Sequence, residues 1–148
     1  MNGEQTNETL KLYIVMSRAM KAINEQTTKF FQANGVNPTE FAVLELLFHK
    51  GAQPLQQIGS KILLASGSIT YVVDKLEQRG YLRRVHCPTD RRVTYAEITE
   101  AGTAFMAELF PRHEQQLESL MAALDCDEKA AAITLMKKLG LSIKDLSY

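Results

Sequence analysis

The sequence lacks tryptophan, has only two cysteines and four prolines, and carries no excess charge of either sign. Two cysteines are too few for a disulfide scaffold and suit a reducing cytoplasm, where we expect the protein to reside. Charged residues interrupt every apolar stretch, and no signal-peptide pattern opens the chain, so we expect neither a membrane span nor secretion. Its 148 residues, 45% hydrophobic and 23% charged, suit one globular domain.

The zero net charge hides an uneven distribution along the chain. Residues 61–95 carry seven basic and three acidic side chains, whereas residues 96–148 carry five basic and nine acidic ones. Residues 1–60 are balanced. A basic middle followed by an acidic tail is typical of a DNA-binding region with a separate assembly region, although so small an excess also arises by chance.

Apolar residues at helical spacing predict six helices. The first covers residues 8–33, and an Asn37 to Glu40 capping box opens the second, which ends at Gly51. We expect the third to begin at Pro54 and the fourth to be capped by Ser66. We expect Thr99 to cap the fifth helix, which has Pro111 inside it. The sixth is predicted to begin at Asp125 or Asp127 and to stop at Leu139-Gly140.

The third and fourth helices are short and are joined by a tight turn near residues 63–65, which outlines a helix-turn-helix. Ile69, Val72, Val73 and Leu76 form the predicted core face of the fourth helix. Its opposite side is polar or small enough to enter a major groove, the alternative being an ordinary solvated face. That side and its flanks comprise Gly67, Ser68, Thr70, Tyr71, Asp74, Lys75 and Gln78.

A hairpin follows the helix-turn-helix. Period-2 patterns predict strands over residues 81–86 and 93–99, and the loop between them carries Asp90, Arg91 and Arg92. Arginine suits a narrow minor groove, and a carboxylate can orient a neighbouring guanidinium. The layout is that of a winged helix, and the alternative is a solvated turn whose charges protect an edge strand.

Three segments within residues 65–102 together resemble the MarR family of bacterial transcription regulators: ASGSITYVVDKLEQRGYLRR, PTDRR and ITEAG. In that family a helix-turn-helix is followed by an Asp-x-Arg wing and a Leu/Ile-Thr-x-x-Gly entry to the next helix. The resemblance implies one domain over residues 1–148, mainly α with a small β-hairpin wing. Within it, residues 36–99 would form the DNA-binding lobe, and residues 8–34 and 100–140 a helical dimerisation region.

The resemblance also implies roles for individual residues. A homodimer would grip a palindromic operator, with Arg92 as the wing arginine, held by Asp74 and supported by Asp90. A small ligand would bind between lobe and interface, and residues 67–78 are similar to the branch of the family that answers quinones and other phenolic electrophiles. The predicted DNA-binding residues are Ser66, Gly67, Ser68, Thr70, Tyr71, Lys75, Arg91 and Arg92.

The sequence therefore predicts a sequence-specific DNA-binding transcription regulator. We expect a repressor released by a small phenolic or quinone-type ligand or by thiol modification. The alternative is a winged-helix protein–protein interaction module without DNA binding, against which the cluster Arg83, Arg84, Arg91 and Arg92 argues. An apolar ligand cleft, or else plain core packing, is predicted for Tyr13, Met16, Met20, Phe41 and Phe48.

Catalytic and metal-binding motifs are missing from the sequence. His113 begins a pattern like His-Glu-x-x-His, but Leu117 stands where the second histidine is needed, so we expect His113 to be a surface residue and no metal to bind. With no phosphate loop and no nucleophile beside a histidine, we expect neither an enzyme nor a cofactor. Cys87, next to His86 and near Arg91, is a candidate redox-sensitive thiol, with a passive cysteine as the alternative.

Overall fold

The structure, a computed structural model, describes residues 3–62 and 68–145. In these residues six helices and three strands follow one another. The helices are α1 (Gly3–Ala33), α2 (Pro38–Lys50), α3 (Leu55–Lys61), α4 (Ile69–Gln78), α5 (Glu100–Leu120) and α6 (Cys126–Ile143). The strands are β1 (Gln53–Pro54), β2 (Leu82–His86) and β3 (Thr94–Ile98). The predicted fold class, mainly α with a small β-hairpin wing, is confirmed.

The chain divides into two compact units, one up to Glu114 and one from Gln115 onward. In the described residues every buried apolar side chain belongs to the first unit. The second unit contains α6, which buries none of its residues. The division into a DNA-binding lobe and a dimerisation region made from both chain ends stays a prediction.

The core of the first unit lies among α2, α3, α4, the sheet and the first half of α5. Each large apolar side chain removed from water there contributes about 1.5–3 kcal/mol. The core face predicted for α4 is confirmed: Val72, Val73 and Leu76 belong to the core, and Ile69 packs at its margin. The most completely enclosed large side chains are Val43, Leu44, Leu47, Ile58, Val73, Leu76, Leu82 and Met106.

The sheet is antiparallel and has the strand order β1-β3-β2. The predicted hairpin is confirmed, with Leu82 opposite Ile98 and His86 opposite Thr94. Sequence reasoning missed β1, where Gln53 pairs with Ala96. A two-residue strand is too short to show alternating apolar and polar residues, and β1 forms by pairing with the edge of β3 that β2 leaves open. Consequently Pro54 ends β1 and precedes α3, which begins at Leu55.

The Thr-x-x-Gly segment at the start of α5 joins that helix to the wing. The Thr99 hydroxyl accepts a hydrogen bond from the Gly102 N–H at 3.1 Å, which confirms the predicted cap. The Thr99 N–H donates to the Tyr81 carbonyl at 3.0 Å. A Cβ at residue 102 would overlap that carbonyl oxygen and come within 2.8 Å of Ile98 Cγ1, so only glycine allows this approach.

Local capping signals fix several helix starts. The Asn37 side chain accepts from the Glu40 N–H at 2.8 Å, and the Glu40 carboxylate accepts from the Asn37 N–H at 3.0 Å, which confirms the predicted capping box. Asp125 is the N-cap of α6, one of the two starts that the sequence left open. The predicted stop at Gly140 was wrong, since α6 continues to Ile143.

Candidate nucleic-acid interface

The recognition helix is α4, and it begins later than the sequence predicted. Ser68 rather than Ser66 is its N-cap, because the Ser68 side chain accepts from the Tyr71 N–H at 3.4 Å. Val72, Val73 and Leu76 are buried and fix the helix on the core. The predicted cap Ser66, the predicted contact residue Gly67 and the turn of the helix-turn-helix lie outside the described residues.

An ion pair between two helices also positions α4. The carboxylate of Glu40, at the start of α2, lies 3.3 Å from the guanidinium of Arg79, the C-cap of α4. Glu40 is buried, and the Arg79 guanidinium also covers the ring of Tyr81 at 5.0 Å. Glu40, part of the capping box of α2, thereby fixes the C-terminal end of α4.

The outward face of α4 presents hydrogen-bonding groups to solvent. Ser68, Thr70, Tyr71 and Lys75 are all exposed, with Tyr71 59% exposed. The Lys75 ammonium lies 4.9 Å from the centre of the Tyr71 ring. A hydrogen bond with Tyr71 raises the pKa of Lys75, so its positive charge is secure at neutral pH. This surface is polar, cationic and free of large barriers, as a major-groove reader requires.

The expected contact between Asp74 and Arg92 was wrong. An Asp74 carboxylate oxygen lies 2.5 Å from Nη2 of Arg84, on strand β2. Asp74 belongs to α4 and Arg92 to the wing tip, whereas strand pairing brings Arg84 beside the helix. Asp74 therefore has an arginine partner within the chain, but the partner is Arg84 and not Arg92.

Arg84 binds a second carboxylate of α4, which sequence reasoning missed. Its Nη1 donates to Glu77 Oε1 at 2.7 Å, and its backbone N–H donates to Glu77 Oε2 at 2.9 Å. The hydrogen bond to Asp74, and then the contacts with Glu77, raise the pKa of Arg84. The neighbouring Arg83 pairs instead with Glu97 across the hairpin at 3.3 Å. A helical wheel with carboxylates at i and i+3 is the signal that could have indicated a shared cation.

The wing tip holds Arg92 by local contacts. Asp90 Oδ1 accepts from the Arg92 backbone N–H at 3.0 Å and from its Nε at 3.1 Å. Asp90 Oδ2 accepts from Nη2 at 3.3 Å, so the expected support by Asp90 is observed. These bonds lower the pKa of Asp90, and the Arg92 side chain is nevertheless 90% exposed. The guanidinium is therefore oriented but open to a ligand, and Arg91 beside it is also exposed.

Cys87 lies at the other end of this loop and is half-buried. Its Sγ is 3.3 Å from the Thr89 hydroxyl. Hydrogen bonds from Thr89, and then from the Asp90 backbone, lower the pKa of the Cys87 thiol. The cause differs from the basic neighbourhood expected from the sequence.

The five predicted ligand-binding residues are divided between core and surface. Phe41 is buried and stacks on Phe31 at 4.3 Å between ring centres. Phe48 packs at the edge of the core. On α1, Met16 is half-buried, whereas Tyr13 and Met20 are exposed. Met20 borders a shallow depression of about 600 Å³ that is otherwise lined by polar residues of the same helix.

The expectation that His113 is a surface residue was wrong. Its ring lies 4.8 Å from that of Phe41 and 5.2 Å from that of Phe31, with Phe30 and Phe110 also near. Its Nδ1 is buried without a hydrogen-bond partner among the described residues. Burial lowers the pKa of His113. Sequence reasoning missed these contacts because most of the rings around the imidazole belong to α1 and α2, which are far from His113 in the chain.

Metal sites and membrane-spanning helices are both absent from the parts of the chain that the structure covers. Within residues 3–62 and 68–145, no group of three His, Cys, Asp or Glu side chains lies close enough together to hold a metal ion. None of the helices there has the length and hydropathy to cross a membrane.

Comparison with known proteins agrees with this geometry. The sequence profile of the MarR family matches residues 36–94, from the end of α1 to the start of β3. The chain is 54% identical over 139 residues to the HTH-type transcriptional regulator MhqR of Bacillus subtilis, covering 94% of this chain and 96% of that protein. It is 42% identical over 147 residues to YkoM, an uncharacterized HTH-type transcriptional regulator of the same organism, covering 99% and 96%.

Solved structures share the fold. A MarR-like transcription regulator from Bacillus cereus superposes with a TM-score of 0.82 at 14% identity, covering 93% of this chain and 99% of that one. A cysteine-to-serine mutant of Escherichia coli MarR bound to operator DNA superposes with a TM-score of 0.78 at 21% identity, covering 90% and 96%. The matched profile, the near full-length relatives and the winged-helix fold together show that the chain belongs to the MarR family of helix-turn-helix transcription regulators.

Proposed function

We propose that this protein is a sequence-specific DNA-binding transcription regulator that represses its target genes. The observation that carries the proposal is the winged lobe itself, in which α4 presents Tyr71 and Lys75 and the wing presents Arg92. The Escherichia coli MarR mutant of the same fold, whose structure was solved in complex with operator DNA, supports DNA binding by this lobe. In this arrangement α4 reads base edges in the major groove and Arg92 enters the flanking minor groove. Ser66 and Gly67, which precede the helix in the sequence, complete the proposed contact set.

Only two of the four clustered arginines still argue against a protein–protein interaction module. Arg83 and Arg84 are engaged with carboxylates of the same chain, so they do not add free charge for DNA. The argument therefore depends on Arg91 and Arg92, both exposed in the wing, and on Lys75. A wing arginine that is held by Asp90 yet almost fully exposed is better suited to a phosphate-lined groove than to an apolar partner.

We further propose that two copies bind one palindromic site. Large apolar side chains are exposed along α1, including Leu10, Tyr13 and Val15, and along α6, including Leu135 and Ile143. Apolar patches of this kind mark interfaces, and a two-fold dimer covers the same patch on both copies. The dimer also explains a single basic lobe per chain, because two lobes related by symmetry read two half-sites.

We propose a small phenolic effector that releases the DNA. The rings of Phe30, Phe31, Phe41 and Phe110 lie around His113, whose Nδ1 has no hydrogen-bond partner within the described part of the chain. A neutral imidazole can accept a hydrogen bond from a phenol hydroxyl at that atom while the rings contact the aromatic ligand. This cluster replaces the cleft expected from the sequence, of which it retains Phe41.

The test is a mobility shift on the DNA that flanks the protein's own gene, repeated with a panel of phenols, quinones and salicylate. We expect a shifted band with specific DNA that random DNA does not compete away, and its loss with a phenolic compound. Cys87→Ser separates the two release routes: an unchanged response supports binding without covalent chemistry, and a lost response supports thiol modification. No preference for any flanking duplex over random DNA would contradict the proposal.

A further inference from the structure

Two carboxylates on the recognition helix are out of place beside DNA. Asp74 and Glu77 lie on α4, and their side chains are 50% and 39% exposed. A phosphate backbone repels exposed carboxylates, and the counterion release that drives binding needs cations at such positions. The Lys75 ammonium between them in sequence is directed to the Tyr71 ring.

Arg84 contacts both carboxylates from strand β2. Its guanidinium donates through Nη1 to Glu77 and through Nη2 to Asp74, and its backbone N–H donates to the other oxygen of Glu77. The side chain is only 27% exposed, so it has less freedom than a surface lysine to leave this position. Two bonds from one planar fork fix a direction as well as a distance.

We propose that Arg84 is a positioning residue for DNA binding: by pairing with the Asp74 and Glu77 carboxylates, it masks their negative charge from the phosphates. The inference rests on the proposed DNA-binding function. Arg84 makes no required contact with DNA in this account. Its removal leaves two unpaired negative charges on the face of the helix that approaches the phosphates.

The geometry supports this role over that of a direct DNA contact. Both terminal nitrogens of Arg84 already serve carboxylates of the same chain, whereas Arg92 is 90% exposed. The three hydrogen bonds also connect helix and hairpin at the point where Leu82 and Leu76 are enclosed in the core. Arg84 thereby links the element that reads the major groove with the strand that leads to the wing tip.

The test measures the affinity of purified full-length variants for a fluorescein-labelled duplex selected by the wild type from the flanking DNA. Arg84→Met keeps the apolar stem and removes the charge. We expect it to weaken binding roughly tenfold to a hundredfold, because two unmasked carboxylates would then face the phosphates and like charges at an interface are costly. Adding Asp74→Asn and Glu77→Gln to that variant should restore affinity to within a few-fold of the wild type. Arg83→Met, on the same strand but paired with Glu97, is the matched control and should bind nearly normally.

Rescue separates masking from a merely structural role. If Arg84 acted only as a packing link, neutralising its partners would not restore binding, and if it contacted DNA directly, the triple variant would stay as weak as Arg84→Met. Either result overturns the proposal, as does normal binding by Arg84→Met. Should thermal melting show that Arg84→Met does not fold, Arg84→Gln, which removes the charge but keeps a hydrogen-bonding side chain, replaces it, with the same rescue required. Failure of the wild type to bind any duplex would instead contradict the proposed function.

Discussion

In the winged lobe, from α2 to β3, most of the large apolar side chains are buried or half-buried, whereas on α1 and α6 many of them are exposed. Leu44, Leu76 and Leu82 are at most 1% exposed, but Leu135 and Ile143 are 59% and 79% exposed. The lobe thus satisfies its apolar surface within one chain, and the terminal helices do not. This difference is the basis of our proposal that one region holds a fixed surface toward DNA and the other meets a second copy.

The largest expected effect comes from breaking the exposed side of this comparison. Leu135→Glu places a charge in the apolar surface of α6, and a two-fold interface would bury it twice. We expect the dimer dissociation constant to rise at least about a hundredfold, because an unpaired buried charge costs several kcal/mol. Sedimentation velocity at micromolar concentration measures it.

The control for that change is Ala130→Glu, an exposed position on a different side of the same helix. It introduces the same charge and should leave the dimer intact. If both variants remained dimeric, α6 would not contribute to the interface, and the exposed residues of the second unit would need another explanation.

The next effect concerns the buried side of the comparison. Gly102→Ala forces a Cβ against the Tyr81 carbonyl at the junction of wing and α5. We expect the free energy of unfolding to fall by about 1–3 kcal/mol, the usual cost of overpacking, with the dissociation constant of the dimer unchanged. Thermal melting checks this, with Gly59→Ala as control, since a Cβ there meets Ile69 at an ordinary 3.5 Å. Equal melting temperatures for the two variants would contradict the close approach.

A smaller region of the lobe, the wing tip, should affect DNA binding without affecting stability. Arg92→Ala should weaken operator binding by about 1–3 kcal/mol and lower the salt slope by about one unit, because one groove contact and one displaced counterion are lost. Fluorescence anisotropy at several salt concentrations measures both. Operator binding like that of the wild type at every salt concentration would remove Arg92 from the interface.

Tyr71, on α4, should contribute to sequence discrimination, in contrast to the charged wing tip. It is exposed and uncharged, so Tyr71→Ala should reduce the discrimination between operator and random duplex while leaving the salt slope nearly unchanged. Competition with random DNA in the same assay measures this ratio. A changed slope with intact discrimination would indicate that Tyr71 acts on phosphates and not on bases.

The smallest expected effect is a pH dependence of stability. Burial holds the pKa of His113 below its ordinary value of 6.5, so on acidification the unfolded chain binds the proton before the folded chain does. Stability is therefore complete above that value and falls as the pH drops below it. His113→Gln should flatten this part of the profile in urea titrations, whereas His86→Gln, at an exposed strand end, should keep it. An unchanged profile in His113→Gln would contradict the assigned burial.

The sequence predicted correctly those features that depend on residues close together in the chain. The Asn37 to Glu40 capping box and the Thr99 cap were predicted because each involves a few neighbouring residues. The core face of α4 was predicted because helical spacing alone determines it. The small size of residue 102 was explained only by its approach to Tyr81, which the structure supplied.

The errors concerned contacts that depend on tertiary packing. The partner of Asp74 was assigned to the wing tip because a sequence shows which cations are available but not which strand lies beside the helix. His113 was placed on the surface because its own helix is polar around it, whereas the enclosing rings come from α1 and α2. The strand β1 was missed because two residues are too few to show an alternating pattern, and β1 is defined only by its pairing with β3.

The most direct test of the central claim, that the lobe reads DNA and the terminal helices pair two chains, is the mass of the protein–DNA complex. Native mass spectrometry on the selected duplex should show two chains, each of 16.6 kDa, bound to one duplex. Leu135→Glu should lose that species, and Ala130→Glu should keep it. One chain per duplex in the wild type, or a two-chain complex that Leu135→Glu leaves unchanged, would contradict the account.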